Sequence, residues 1–188
     1  MAVVNATHSF SQFWDGRAVT LEDQAKLPIL NAIEMGMKDG DEVVAKLNKI
    51  EGYRKQFQKI FGTDVTSDGI AKAIAAFERT VLSGGAPYDR FKAGDTNALS
   101  EPAQRGMKVF FNRGHCSACH VGPNFNDGAF HNVGVGMEVE KPDIGREELT
   151  KLGGDRGAFK TPTLREVART APYMHNGKFK ALEEVVEY

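Results

Sequence analysis

The chain has 188 residues, of which 24 are basic and 25 acidic, so its formal net charge near pH 7 is −1. A charge this close to zero excludes a global electrostatic field that would attract nucleic acid or an anionic membrane. Hydrophobic residues make up 41% of the chain, as in ordinary globular proteins. No apolar run approaches the roughly 20 residues that span a bilayer.

The first eight residues contain neither the basic nor the apolar region of a secretory signal peptide. If the protein works outside the cytoplasm, we expect this chain to be a mature or truncated product.

Residues 1–95 are predicted to be helical. Thr20 is a typical N-cap, with acidic residues in the turn that follows, so a helix should begin near Leu21 and be limited or kinked by Pro28. Helix-period apolar residues then occur over 43–50 and 53–61. Asp68 is predicted to cap a further helix. Its expected core face is Ile70, Ala73, Ile74, Phe77 and Val81.

Glycine- and proline-rich stretches at 83–87 and 92–95 predict a domain boundary near residue 95. Ser100 then has the character of an N-cap, and Pro102 fits the first turn of a helix. The expected inner face of this helix is Ala103, Met107, Phe110 and Phe111. A terminal helix is predicted to turn Leu182, Val185 and Val186 to one side.

Both cysteines of the chain lie in the stretch Cys116-Ser117-Ala118-Cys119-His120. C-x-x-C-H is the attachment signature of c-type haem, since this spacing sets two thiols side by side for the porphyrin vinyl groups. His120 would then be the proximal iron ligand. Three other interpretations stay open: a dithiol redox pair, half of a zinc site, or two cysteines without a special role.

Residues 121–160 contain eight of the 20 glycines and show little periodicity. About 40 residues without regular structure would normally argue against a compact domain. A bound haem removes the objection, because irregular chain can wrap around the edge of the porphyrin.

Several segments together resemble the bacterial di-haem cytochrome c peroxidases, a family that includes MauG-like enzymes. In chain order they are Phe13-Trp14-Asp15-Gly16-Arg17-Ala18, Leu21-Glu22-Asp23-Gln24-Ala25, Glu34-Met35-Gly36, Cys116 to His120, Phe130-His131-Asn132-Val133-Gly134-Val135, Lys160-Thr161-Pro162-Thr163-Leu164-Arg165 and Ala171-Pro172-Tyr173-Met174-His175-Asn176-Gly177. The resemblance covers nearly the whole chain, but the family's first C-x-x-C-H, which carries the peroxide-reducing haem, is not in this sequence.

The resemblance implies an all-α fold in which a class I cytochrome c-like haem domain follows a helical segment. Residues 1–95 would be the helical remnant of the first, peroxidatic domain without its haem motif, and residues 96–188 the haem domain. One covalent haem c is expected, held by the two cysteines and His120. Its sixth ligand is expected at Met174, at Tyr188 or just beyond the chain.

The resemblance also assigns roles to residues outside the motif. Trp14 would lie between the two haems, and Glu34 would be the distal carboxylate that assists O–O cleavage. In this chain alone Glu34 has no haem to act on, so it fits a solvated or capping carboxylate better. Backbone carbonyls of Thr170 and Pro172 would bind calcium, although the asparagine that completes that site would fall before Met1.

The function implied is relay of electrons from a small donor protein, a cytochrome c or a cupredoxin, for reduction of hydrogen peroxide to water in the periplasm. A second hypothesis is a stand-alone mono-haem electron-transfer cytochrome without catalysis. A third is a helical module without haem. Apolar sides of the helices in residues 1–95 suggest a homodimer.

Overall fold

The computed structural model describes residues 2–188 and is built mainly of helices. The α-helices are α1 (Leu21–Leu30), α2 (Gly40–Asn48), α3 (Glu51–Phe61), α4 (Ser67–Glu78), α5 (Pro87–Lys92), α6 (Glu101–Phe111), α7 (Glu147–Thr150) and α8 (Leu182–Glu187). Two short antiparallel strands, β1 (Phe130–His131) and β2 (Phe159–Lys160), pair with each other. The all-α prediction holds apart from this small ribbon. No helix of the described residues is long and apolar enough to cross a membrane.

Helix α1 begins where its sequence predicts. The Thr20 hydroxyl accepts a hydrogen bond from the Asp23 backbone N–H at 3.0 Å, and the Asp23 carboxylate accepts one in return from the Thr20 N–H at 3.3 Å. This reciprocal capping satisfies two backbone donors that the first turn leaves unpaired. Pro28 lies inside the helix, which ends two residues later.

The core of the first half lies between α2, α3 and α4. Phe57, Val65 and Ile70 are buried there. Around them pack Ile29, Val43, Val44, Leu47, Phe61 and Ile74. The two periodic stretches at 43–50 and 53–61 therefore contribute to one core, as their spacing predicts.

Helix α4 differs from its prediction in two respects. Its N-cap is Thr66, whose Oγ1 accepts a hydrogen bond from the Gly69 N–H at 3.0 Å, whereas Asp68 lies in the first turn and pairs with Lys72. The predicted core face is confirmed only in part: Ile70 is buried and Ile74 packs against the core, whereas Ala73 is exposed and Phe77 is 67% exposed.

Beside the predicted Ile70, the buried side of α4 carries Ala71, Ala75 and Glu78. Two alanines on this side let α4 pack closely on α1, which turns the larger Phe77 toward solvent.

Helix α6 is capped by Ser100 as predicted, with its hydroxyl accepting from the Ala103 N–H at 3.4 Å. Its predicted inner face is only partly covered. Met107 and Phe110 are half-buried, Ala103 is exposed, and Phe111 is 40% exposed. Similarly, in α8 Leu182 and Val185 are half-buried while Val186 is 85% exposed.

The segment 121–160 is largely irregular, as the glycine content predicts. Its regular structure among the described residues is limited to β1, α7, a short 3₁₀ turn and β2. The segment nevertheless folds against the rest of the chain, because β1 pairs with β2 and the Lys160 N–H donates to the Trp14 carbonyl at 2.7 Å. The division near residue 95 stays a prediction.

Candidate functional site

A cavity of about 870 Å³ is lined by the N-terminal segment, the Cys116–His120 turn and the segments that follow it. Its volume lies within the roughly 300–1,000 Å³ usual for cofactor pockets. The predicted site residues that line this cavity are Trp14, Cys116, Cys119, His120, Thr170, Pro172, Met174 and Tyr188. Residues from distant parts of the sequence therefore meet around one space.

Cys116 begins a single 3₁₀ turn, Cys116–Ala118, and Cys119 is the residue that caps it. The Cys119 and His120 N–H groups both donate to the Cys116 carbonyl, at 3.4 and 3.0 Å. His115 enters the turn in the left-handed region, with φ of 54°. This tight turn places two free thiols and one imidazole on the same cavity wall.

The His120 ring is oriented through one of its nitrogens. Nδ1 lies 2.9 Å from the Phe125 carbonyl oxygen, so the neutral ring carries its proton on Nδ1 and keeps Nε2 free. A histidine that binds a metal typically donates its other ring N–H in this way. Two thiols, a free Nε2 and a cavity of this size fit a covalently bound haem.

The surroundings of Cys119 bear on the alternative interpretations of the motif. Burial, with a contribution from Asp127, raises the pKa of the Cys119 thiol. A reactive dithiol pair needs a lowered thiol pKa, which is the opposite shift.

A possible metal-ligating cluster that the sequence analysis missed also lies beside Cys119: donor atoms of Cys119, Asp127 and His131 are within 4.8 Å of one another. Three donors are fewer than the four of a structural zinc site.

Asp127 and His131 hold the loop beside Cys119. His131 Nε2 lies 2.7 Å from the Asp127 carboxylate, whose other oxygen accepts from the Ala129 N–H at 2.9 Å. Burial alone would raise the pKa of the Asp127 carboxyl. Hydrogen bonds to this carboxylate, above all the one from His131, outweigh burial and lower the pKa. The sequence shows Phe-His-Asn as a motif but does not show that its histidine pairs with Asp127.

Trp14 lines both the large cavity and a second one of about 290 Å³. Glu34 and Glu78 line this smaller cavity. Glu34 is exposed, so its position agrees with a solvated carboxylate as well as with a group that faces a ligand there. The structure brings Trp14 and Glu34 together and keeps Glu34 away from the large cavity.

The predicted sixth-ligand and calcium residues lie on the C-terminal wall. Met174 adopts a left-handed conformation with φ of 69°, and the Tyr188 hydroxyl donates to the Val133 carbonyl at 3.4 Å. Thr170 and Pro172 lie nearby, but no group of three ligating side chains accompanies them among residues 2–188. Calcium binding there stays a prediction.

Lys160 belongs to one of the segments that carry the resemblance, but the sequence does not show that its side chain is buried. It lines the large cavity yet is only 3% exposed, and its Nζ donates to Ser9 Oγ at 2.7 Å and to the Ser11 carbonyl. Burial lowers the pKa of the Lys160 ammonium to about 8. A buried lysine without a carboxylate among these partners thus ties the N-terminal segment to β2.

Glu78 is 7% exposed, and its Oε2 has no hydrogen-bond partner among the described residues. Burial raises the pKa of this carboxyl, so the folded state favours the neutral form. The contribution of this carboxyl to the free energy of unfolding is therefore present at low pH, where it is neutral, and is lost as the pH rises through the raised pKa. We expect Glu78→Gln to increase the free energy of unfolding by about 1 kcal/mol at pH 7 and to leave it unchanged near pH 3.5.

Urea denaturation at the two pH values measures this effect. Glu140→Gln, at an exposed position, is the matched control and should change stability at neither pH. A Glu78→Gln variant that is less stable at pH 7 would show that the carboxylate is favourably paired.

Comparison with known proteins gives a consistent set of relatives. A family model described as di-haem cytochrome c peroxidase matches residues 1–97. The chain is 41% identical to the methylamine utilization protein MauG of Methylophilus methylotrophus and 38% identical to the cytochrome c peroxidase Ccp of Escherichia coli K12. These matches cover 99% and 98% of the chain but 56% and 41% of the relatives, so the chain spans about half of their length.

One similar crystal structure is that of a MauG-like protein associated with microbial copper homeostasis. The TM-score is 0.88 at 32% sequence identity, over 99% of this chain and 60% of the other.

Proposed function

The chain belongs to the di-haem cytochrome c peroxidase family, and from this premise we propose that it binds one covalent haem c and relays electrons from a donor protein for reduction of hydrogen peroxide to water. The observation that carries the proposal is the common wall of Cys116, Cys119 and His120 in a cavity of cofactor size. In this proposal residues 96–188 form a class I cytochrome c-like domain.

The residues of the motif divide the work of holding the cofactor. The Cys116 and Cys119 thiols would hold the haem through thioether bonds, and His120 would offer Nε2 to the iron. The Phe125 carbonyl fixes the ring through Nδ1, at 2.9 Å, and increases its donor strength. When bound, haem supplies one-electron redox chemistry. Met174 or Tyr188 is the proposed sixth ligand.

Trp14 is the proposed route between this site and the peroxide-reducing site. Trp14 lines both cavities, and this position supports that role, because an aromatic ring there shortens the distance that an electron must cross between the two cavities. Glu34 on the second cavity would hold and move the proton that peroxide cleavage needs.

The donor is proposed to be a small cytochrome c or cupredoxin, and the compartment the periplasm, where haem is attached to such motifs. We also propose a homodimer formed through the first half, where Ile33 is 94%, Phe77 67% and Met35 62% exposed. Sedimentation of the whole chain tests the dimer, and a monomer at all concentrations would contradict it.

The second candidate function is electron transfer alone. The exposed carboxylate of Glu34 favours it, since a group in open solvent is poorly placed to direct a proton. A covalently held haem would still accept and pass on single electrons in this case.

Stopped-flow spectroscopy of the haem-loaded chain separates these functions. The relay proposal predicts rapid reduction by a small donor cytochrome, followed by donor-dependent consumption of peroxide when the peroxide-reducing domain is present. Reduction without peroxide consumption in the complete protein would support the electron-transfer alternative. A chain that carries no haem after expression with the maturation system would contradict both.

A further inference from the structure

The Arg165 side chain is only 9% exposed and is held by a carboxylate from the first half of the chain. Its two terminal nitrogens contact the two oxygens of Asp89, at 2.5 Å for Nη1–Oδ2 and 2.8 Å for Nη2–Oδ1. This paired geometry fixes the plane of the guanidinium as well as its position. Asp89 is itself fixed, because Oδ2 accepts from the Ala86 N–H at 2.8 Å at the start of α5.

The same guanidinium holds the loop that follows the cysteine motif. Arg165 Nε and Nη2 both donate to the Pro123 carbonyl, at 2.8 and 2.5 Å. The guanidinium carbon also lies 5.2 Å from the centre of the Phe125 ring, within the range of a cation–π contact. Arg165 thus contacts the loop at two residues, one through its backbone and one through its ring.

Phe125 is the residue whose carbonyl orients His120. Its φ of 51° lies in the left-handed region, which a bulky residue adopts only where its surroundings hold it. The turn itself is closed by the Asn126 N–H, which donates to the Val121 carbonyl at 2.8 Å. The contact from Arg165 therefore falls on the strained residue that sets the ring.

The other side of this loop is also held from outside. Asn124 Oδ1 accepts from Thr163 Oγ1 at 2.8 Å and from Asn5 Nδ2 at 3.1 Å. Asn5, like Asp89, belongs to the first half of the chain. The first half therefore holds the loop directly through Asn5 and indirectly through the pair of Asp89 with Arg165.

We propose that Arg165, oriented by Asp89, is a positioning residue for the His120 imidazole and so tunes the strength of the proximal iron ligand. This inference rests on the proposed function, since it concerns the haem that His120 would bind. Asp89 in α5 orients Arg165, and Arg165 contacts Phe125. The carbonyl of Phe125 in turn accepts from His120 Nδ1. Without it, the Phe125 carbonyl moves away and the ring becomes a weaker donor to iron.

Two variants test the inference on the haem-loaded chain. Arg165→Lys keeps the charge but loses the paired contact with Asp89 and the two bonds to Pro123. Asp89→Asn keeps the guanidinium but loses its orientation. The matched control is Arg156→Lys, which alters an ion pair with Glu147 at 3.0 Å, away from the loop.

The first readout is solvent exchange of the His120 Nδ1 proton by NMR. We expect the exchange rate to rise about tenfold or more in Arg165→Lys, since the bond to the Phe125 carbonyl weakens. The second readout is the reduction potential, which should rise because a weaker imidazole donor favours ferrous iron. Asp89→Asn should shift both in the same direction, and Arg156→Lys neither.

Exchange and potential unchanged in both variants would overturn the inference while leaving the proposed function intact. If Arg165→Lys fails to fold, Asp89→Asn decides the question, since it removes no cation from the loop. Absence of covalent haem from the wild-type chain is a separate result, which would contradict the proposed function and this inference together.

Discussion

Replacing both cysteines by alanine is expected to abolish covalent haem attachment completely. The chain contains two cysteines, and both line the large cavity next to His120. Without their sulfur atoms no thioether can form, so any haem that enters would be held only by non-covalent contacts and by its iron ligands. Haem staining after denaturing electrophoresis should fall from one haem per chain in the wild type to none in Cys116→Ala/Cys119→Ala.

The single variants and a neighbouring control sharpen this test. Each single cysteine variant keeps one sulfur and should retain haem through one thioether, at reduced yield. Ser117 lies between the cysteines, and its hydroxyl donates to the Phe111 carbonyl at 3.4 Å, its one side-chain hydrogen bond among residues 2–188, so attachment should be normal in Ser117→Ala. Covalent haem in the double variant would show that attachment uses another group.

Lys160→Met is expected to remove a pH dependence of stability worth about 3 kcal/mol. Burial lowers the pKa of the Lys160 ammonium from 10.5 to about 8, a difference of about 2.5 pH units at roughly 1.36 kcal/mol each. Below pH 8 the folded state holds a buried charge that the unfolded state exposes. As the pH rises from 8 to 10.5 the folded state is already neutral, so wild-type stability increases over this window.

The measurement is the difference in unfolding free energy between variant and wild type, taken at pH 7 and pH 10.5. Lost bonds to Ser9 and Ser11 add a cost that does not depend on pH, so the change with pH isolates the ammonium. Lys151→Met is the control, because that side chain is 71% exposed. A difference that stays constant with pH would mean that Lys160 titrates as an ordinary lysine.

The parts of the fold that follow from local chemistry are predictable from the sequence. Thr20 and Ser100 cap the helices that their spacing predicts, because capping depends on groups three residues apart. The face of α4 is not predictable in this way. Periodicity marks Phe77 as a core residue, but the close approach of α1 along Ala71 and Ala75 decides which side is covered.

The candidate site shows the same limit. Cys116, Cys119 and His120 are recognisable because their spacing is itself the chemical requirement. The Phe125 carbonyl gives no signal in the sequence, since every residue has a carbonyl. Arg165 and Asp89 are 76 residues apart, so only the folded chain shows that they pair.

The mass of the purified wild-type chain under denaturing conditions tests the central claim most directly. The chain is expressed with the haem-maturation system and measured beside its oxidised visible spectrum. The proposal predicts the polypeptide mass plus one haem, together with a Soret band of matching intensity. A mass equal to that of the polypeptide alone would contradict covalent attachment at Cys116 and Cys119, and with it the assignment of the large cavity.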